Sequence, residues 1–258
     1  MKVLKIFILI ILFLLLSLEG LWLIAIPEGL IREKIISSIP EGIVTELDGL
    51  KKGVFFNISI ERVLLKIGGE SNSWGGLEIP LENIRARIDY PSLFKGRLRI
   101  YLIAHIGEKG IIEGLGGSSE LRIKAEAIKL SDIKIPLLKG EAIIAIDGEI
   151  INNKGTIRFS AQDARLEPFS ERDLYLPLNL INSIRGSLNI IPDKLLLESV
   201  TLSGKDLYGR LKGSINQTQA DLTLELMPEK EVNSTLMLLI PKNLVSPGYY
   251  KIEIKRAL

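Results

Sequence analysis

The sequence predicts a mainly β fold: an N-terminal transmembrane helix and a short amphipathic helix, followed by a long curved antiparallel sheet, a trough or a flattened sandwich. Three observations predict it. Apolar residues crowd the first 26 positions; from Gly42 onward apolar and polar residues alternate with period two; and Gly, Asn, Asp and Pro interrupt that alternation at hairpin distance. The boundaries are 1–27 for a cytoplasmic start and anchor, 28–41 for the amphipathic helix and 42–258 for a β-rich domain. A chain of 258 residues can bury a core of useful size.

Residues 6–26 read IFILIILFLLLSLEGLWLIAI, broken only by Ser17, Glu19 and Gly20. As a helix this run is about 30 Å long, the thickness of a bilayer's hydrocarbon core. Lys2 and Lys5 flank it on the N-terminal side, which places the N-terminus in the cytoplasm and everything beyond Pro27 across the membrane. A cleaved secretory signal is the rival. The run is longer than a usual signal core, however, and Leu23-Ile24-Ala25 is a poor small-residue cleavage site, so an uncleaved anchor is expected. Glu19 lies near the outer end of the span, where its carboxylate can reach headgroups or water; the alternative is an intramembrane contact to a partner's helix.

Residues 28–39, EGLIREKIISSI, carry Leu30, Ile31, Ile35 and Ile39 on helical spacing, and Pro40 and Gly42 stop the pattern. Strand alternation follows. Phe56, Ile58 and Ile60 alternate with Asn57, Ser59 and Glu61, and Leu222, Leu224 and Leu226 with Asp221, Thr223 and Glu225. Leu121, Ile123, Ala125 and Ala127 form a similar series. Hairpins are expected at Asn152-Asn153-Lys154-Gly155, around residues 107–110, at Pro192-Asp193 and at Gly204-Lys205-Asp206. Residues 68–76 and 167–173 read as longer loops. A loose repeat of about forty-five residues starts at Lys95-Gly96, Lys139-Gly140 and Arg185-Gly186, each glycine opening a strand. Strands at hairpin distance without helices between them make an antiparallel meander, and roughly a dozen of them must curl or fold over to bury one face.

Charge and chemistry narrow the function. Lys and Arg number 33 against 31 Asp and Glu, interspersed along the chain, so no basic cluster marks a nucleic-acid binder. There is no cysteine and one histidine, which excludes disulfide frameworks, thiolate metal sites and any site needing two histidines. His105 sits inside a strand pattern without a partner constellation and reads as a strand residue. No nucleophile elbow, phosphate loop or dinucleotide fingerprint is present, and Glu229 and Glu231 read as solvated carboxylates. No catalytic residue, metal site or cofactor is expected.

The order of anchor, short helix, GIVTELDGLKKGVFFNISIERVLLKI (42–67), YPSLFKGRLRI (90–100), GEIINNKGTIRFS (148–160) and LLLESVTLSGKDLYGRLKGSI (195–215) resembles the protein N family of the bacterial type II secretion system, in its shorter form. The opening is also similar to AsmA-like and bridge-like envelope proteins. The first resemblance implies a single-pass inner-membrane protein of a Gram-negative bacterium with its C-terminal domain in the periplasm, an accessory to protein export that binds or scaffolds other secretion components. The second implies lipid binding or transfer in an apolar β-groove. Phe56, Ile58, Ile60, Leu222, Leu224 and Leu226 are the candidate lipid or partner face; a plain buried core is the alternative for these six.

Overall fold

The computed structural model describes residues 10, 13–14, 16–40, 42–68, 76–93, 95–135, 138–171, 174–216, 219–229, 232, 236 and 240–257. Most of the first half of the expected membrane span lies outside them. Among the described residues no helix is long and apolar enough to cross a membrane. Residues 16–20 are α-helical, but the span does not continue as an α-helix to Ile26: Leu21–Ala25 is a π-helical turn. Pro27 has no N–H to offer the last turn, and Lys52 Nζ donates to the carbonyls left there, those of Trp22 at 2.9 Å and Leu23 at 2.7 Å and also that of Ile26.

Helix α1 (Glu28–Ser37) starts after the extended Pro27 and ends at Ser38, whose N–H reaches back to Ile35 and Ile36. Ile31 and Ile35, one turn apart, pack on the core, whereas Leu30 points to solvent, so the apolar face is narrower than the spacing implied.

The rest is one large antiparallel sheet. Its strands are β1 (Ile43–Asp48), β2 (Lys51–Lys52), β3 (Ile58–Ile67), β4 (Leu77–Ile88), β5 (Arg99–Ile106), β6 (Gly110–Gly117), β7 (Glu120–Lys129), β8 (Gly140–Ile151) and β9 (Lys154–Leu166). It continues through β12 (Ser183–Ile191), β13 (Lys194–Ser203), β14 (Leu207–Asn216), β15 (Gln219–Pro228), β17 (Tyr249–Ala257) and β16 (Leu244–Ser246), in that spatial order except that β2 lies off the path, pairing with β3 on the same side as β1. The only described strands outside it are β10 (Phe169–Glu171) and β11 (Leu174–Leu176), which pair with each other where a plain loop was expected. A four-residue helix α2 (Tyr90–Leu93) bridges β4 and β5.

The predicted turns fall where the glycines and asparagines placed them. Asn152 and Asn153 both have positive φ, 50° and 62°, the two-residue turn that matches strand twist between β8 and β9. The expected repeat fails at its third member, because Gly186 lies inside β12: a Cβ there would sit 2.8 Å from Val200 and 2.9 Å from Phe159. The alternation in β7 fails at Ala127, which takes φ 55° at a register shift and hands the inward position to Ile128.

The connections at the two ends of the sheet differ. At one end the links between β7 and β8, β9 and β12, and β15 and β16 are long and fold back over one face. Leu130, Ile133, Ile135, Leu178, Ile181, Leu236 and Ile240 come from them and join the core. At the other end β6–β7, β8–β9 and β12–β13 are joined by tight turns, and the N-terminal helix meets the sheet there, against residues 52–55.

Candidate functional site

Directly paired residues of antiparallel strands share a face, so the register traces what each row of the sheet presents. One row starts at Ile58 and passes to Ala86, Leu102, Gly114, Ile123 and Gly148. It continues through Ile157, Leu188, Leu197, Gly213 and Leu222 to Ile254. Across twelve strands, from β3 to β17, no residue of this row is polar. At the usual strand spacing of about 4.8 Å the row is on the order of 50 Å long.

A second row, one pleat closer to the tight-turn end, runs from Ile88 through Ile100, Gly116, Leu121 and Ile150. It goes on through Gly155, Ile190, Leu195 and Ile215 to Ala220, apolar throughout, and ends at Arg256 of β17. The opposite face could not be more different. There Ile103, Glu113, Lys124, Asp147, Arg158 and Ser187 succeed one another. Arg122 and Glu149 pair at 2.8 Å on the same side, and Thr156 donates to Asn189 at 2.9 Å.

The covering segments do not reach the whole apolar face. The rows nearer the long connections are sealed: Ile106, Leu226 and Tyr250 are fully buried, and Ile128, Val200, Leu224 and Ile252 nearly so. Burial raises the pKa of the Tyr250 hydroxyl. In the row from Ile88 to Ala220, by contrast, only Ala220 at its end is buried, and no side chain belongs to a core cluster of the described residues. Ile100 is 49% exposed and Leu121 39%. The glycines widen this part. A Cβ on Gly114 or Gly116 would meet nothing closer than 3.7 Å, so both positions accept a β-carbon in ordinary van der Waals contact.

The six residues proposed from the sequence divide. Ile60, Leu224 and Leu226 are buried core. Ile58 and Leu222 belong to the twelve-strand apolar row and are half-buried. Phe56 is not on a strand at all: it lies in the turn before β3 with φ 55°, its ring 5.5 Å from that of Trp22. Sequence reasoning missed Ile123, Ile150, Ile157, Leu188, Ile190, Leu195 and Ile215, which line the open part. Their alternation is visible in the sequence, but which alternating residues are left uncovered depends on where the long connections fold back.

Glu19 finds its partner within the chain, its carboxylate accepting the Phe55 N–H at 2.6 Å. His105 lies in β5 between Glu82 and Ile111, its Nδ1 buried without a hydrogen bond. Among the described residues no group of three His, Asp or Glu is placed to hold a metal ion. The shifted carboxyls belong to surface pairs: Lys212 at 2.7 Å holds Glu225 below the usual range, against a smaller opposing effect of burial. Lys212–Glu225 and Lys51–Glu61 bridge neighbouring strands, whereas Lys251–Glu253 lies within β17. With the geometry described, comparison with known proteins adds no relative: no family model, no curated protein and no solved structure matches the chain.

Proposed function

We propose that the chain is a single-pass, membrane-anchored protein of the bacterial envelope whose curved sheet forms a trough for the acyl chains of lipids, AsmA-like in this respect, and that it acts by binding rather than catalysis. The observation that carries the reading is the uninterrupted apolar row across twelve strands, with the neighbouring row uncovered. Contiguous apolar surface of this extent is costly in water and marks a binding site. Each methylene an acyl chain buries there contributes about 0.8 kcal/mol. No polar side chain from Ile58 to Ile254 on one row, or from Ile88 to Ala220 on the other, asks for a hydrogen bond, so the trough selects for hydrocarbon and leaves the headgroup outside. Periplasmic placement follows from the anchor and its basic N-terminal flank.

Filling the trough tests this. A Cβ at Gly114 or Gly116 meets no backbone atom closer than 3.9 Å, so these two positions of the apolar rows take a side chain with the least backbone conflict. Full-length G114L and G116L, extracted and analysed by lipid mass spectrometry, are expected to carry several-fold less co-purified phospholipid than the parent at unchanged melting temperature. Equal lipid content in all three proteins overturns the trough. The export-accessory reading drawn from the type II secretion resemblance is a second proposal. It is favoured by the open edge of β1, where Val44 is 61% exposed and a partner strand can add. The same variants separate the two, since a filled trough leaves edge pairing intact.

A further inference from the structure

Phe55 and Phe56 are consecutive residues in left-handed backbone, with φ 57° and 55°. That conformation is unfavourable for a residue bearing a β-carbon, so two in succession must be held by their surroundings. The Phe55 peptide groups are held on both sides. Its N–H donates to Glu19 at 2.6 Å, and its carbonyl accepts from the Tyr90 hydroxyl at 2.7 Å. The Trp22 indole N–H donates to Gly53 O at 2.9 Å, tying the end of the N-terminal helix to the same loop. The outcome of the bend is specific: Phe56 turns inward against Trp22, while Val54 and Phe55 face outward, 54% and 64% exposed.

Beside this loop the chain passes from β4 to β5 through residues 89–98. Leu98 there is 60% exposed, and Lys95 and Arg97 are exposed with no ion pair to a described residue. Arg97 and Leu98 border a cleft of about 680 Å³ that Ile100 and Gly116, both members of the open apolar row, also line. At the far end of the sheet the turns balance their charges instead, with Glu108 beside Lys109 and Lys205 beside Asp206.

We propose that this corner is a bilayer-docking foot: Val54, Phe55 and Leu98 enter the interfacial layer while Lys95 and Arg97 meet headgroup phosphates, so that the mouth of the trough rests on the membrane its anchor crosses. The inference rests on the anchored reading above. The lipid surface is the occupant because the foot is continuous with the end of the apolar N-terminal run, and because its make-up is that of a membrane interface. Trp22 and Tyr90 supply amphipathic rings suited to the level of headgroups, Val54, Phe55 and Leu98 supply outward apolar side chains, and Lys95 and Arg97 are cations with no ion pair to a described residue. The left-handed pair acts as the presenting device, with Glu19 and Tyr90 as positioning residues. Lipid then passes between bilayer and trough without crossing water.

The chain has no cysteine, so one introduced thiol can be labelled uniquely. Full-length F55C, V54C and L98C, each carrying a bimane label, would be reconstituted in phosphatidylcholine–phosphatidylglycerol vesicles containing doxyl-labelled phosphatidylcholine, beside K205C from the opposite end. The foot predicts quenching several-fold stronger at 54, 55 and 98 than at 205; V54C reports from outside the left-handed pair should F55C disturb it. Quenching at those three positions no stronger than at 205 overturns the foot. That result together with reduced lipid in G116L would leave the trough standing, so the two inferences fail separately.

Discussion

Glu19 shows how one side chain can join three parts of a molecule. Its carboxylate accepts the N–H of a residue held in left-handed backbone, in a loop that Tyr90 grips from the other side. Burial and the negative charge of Glu19 together raise the Tyr90 pKa, which keeps that hydroxyl a donor throughout the physiological range. Glu19→Ala should free the Phe55 amide and speed its hydrogen exchange roughly tenfold, the worth of about 1–1.5 kcal/mol for a hydrogen bond to a charged group that is partly solvated. Glu19→Gln keeps an acceptor oxygen and should stay near the parent rate. Exchange unchanged in the alanine variant would show that the loop holds itself. Nothing in the sequence flagged this role: a lone carboxylate near the end of an apolar run reads as a membrane-interface residue, and its partner is 36 positions away.

The strands and their turns were largely legible, and for a physical reason. A two-residue turn between twisted strands needs positive φ at both positions, and Asn152-Asn153 tolerates it, so the hairpin is written locally. Bulges are not written that way. Asn83, Ala127 and Asp163 each take φ near 50–55° at or beside a shift of register, and only the neighbouring strands determine where the extra residue falls. Phe56 was misplaced for the same reason, since a phenylalanine gives no signal for left-handed backbone. Glycines within strands divide sharply by what surrounds them. A Cβ on Gly155 would lie 2.0 Å from Glu149 O, whereas on Gly116 the nearest atom is a Leu121 methyl at 3.7 Å. Gly155→Ala should therefore cost about 1–3 kcal/mol of stability or more, and Gly116→Ala no more than about 0.5 kcal/mol in either direction. Thermal melts of the two full-length variants in the same detergent check the contrast, and equal losses would contradict it.

At the scale of the whole molecule the sheet presents one face of mixed charged, polar and apolar residues and one face of apolar rows, and the rows nearer the long connections are the ones sealed in the core. The apolar half of that statement is in the sequence, because period two can be read residue by residue. The coverage is not. It follows from the β7–β8, β9–β12 and β15–β16 connections all folding back from one end of the sheet, a property of topology that becomes visible only when fifteen strands are set side by side. Ile60, Leu224 and Leu226 were chosen by pattern and are sealed core, while Ile157 and Leu188 carry the same pattern and remain reachable. The N-terminal helical segment meets the sheet at the tight-turn end, so on the proposed anchored reading the rows left outside the core clusters face the bilayer.

Photo-crosslinking from position 157 tests the central claim most directly. Ile157 sits mid-sheet in the twelve-strand row, between Gly148 and Leu188. A photoreactive residue in its place, in the full-length protein within living cells, should yield adducts whose mass is that of phospholipid or its acyl chains. Adducts confined to the chain's own residues would mean that the face is closed in the cell and that no trough exists.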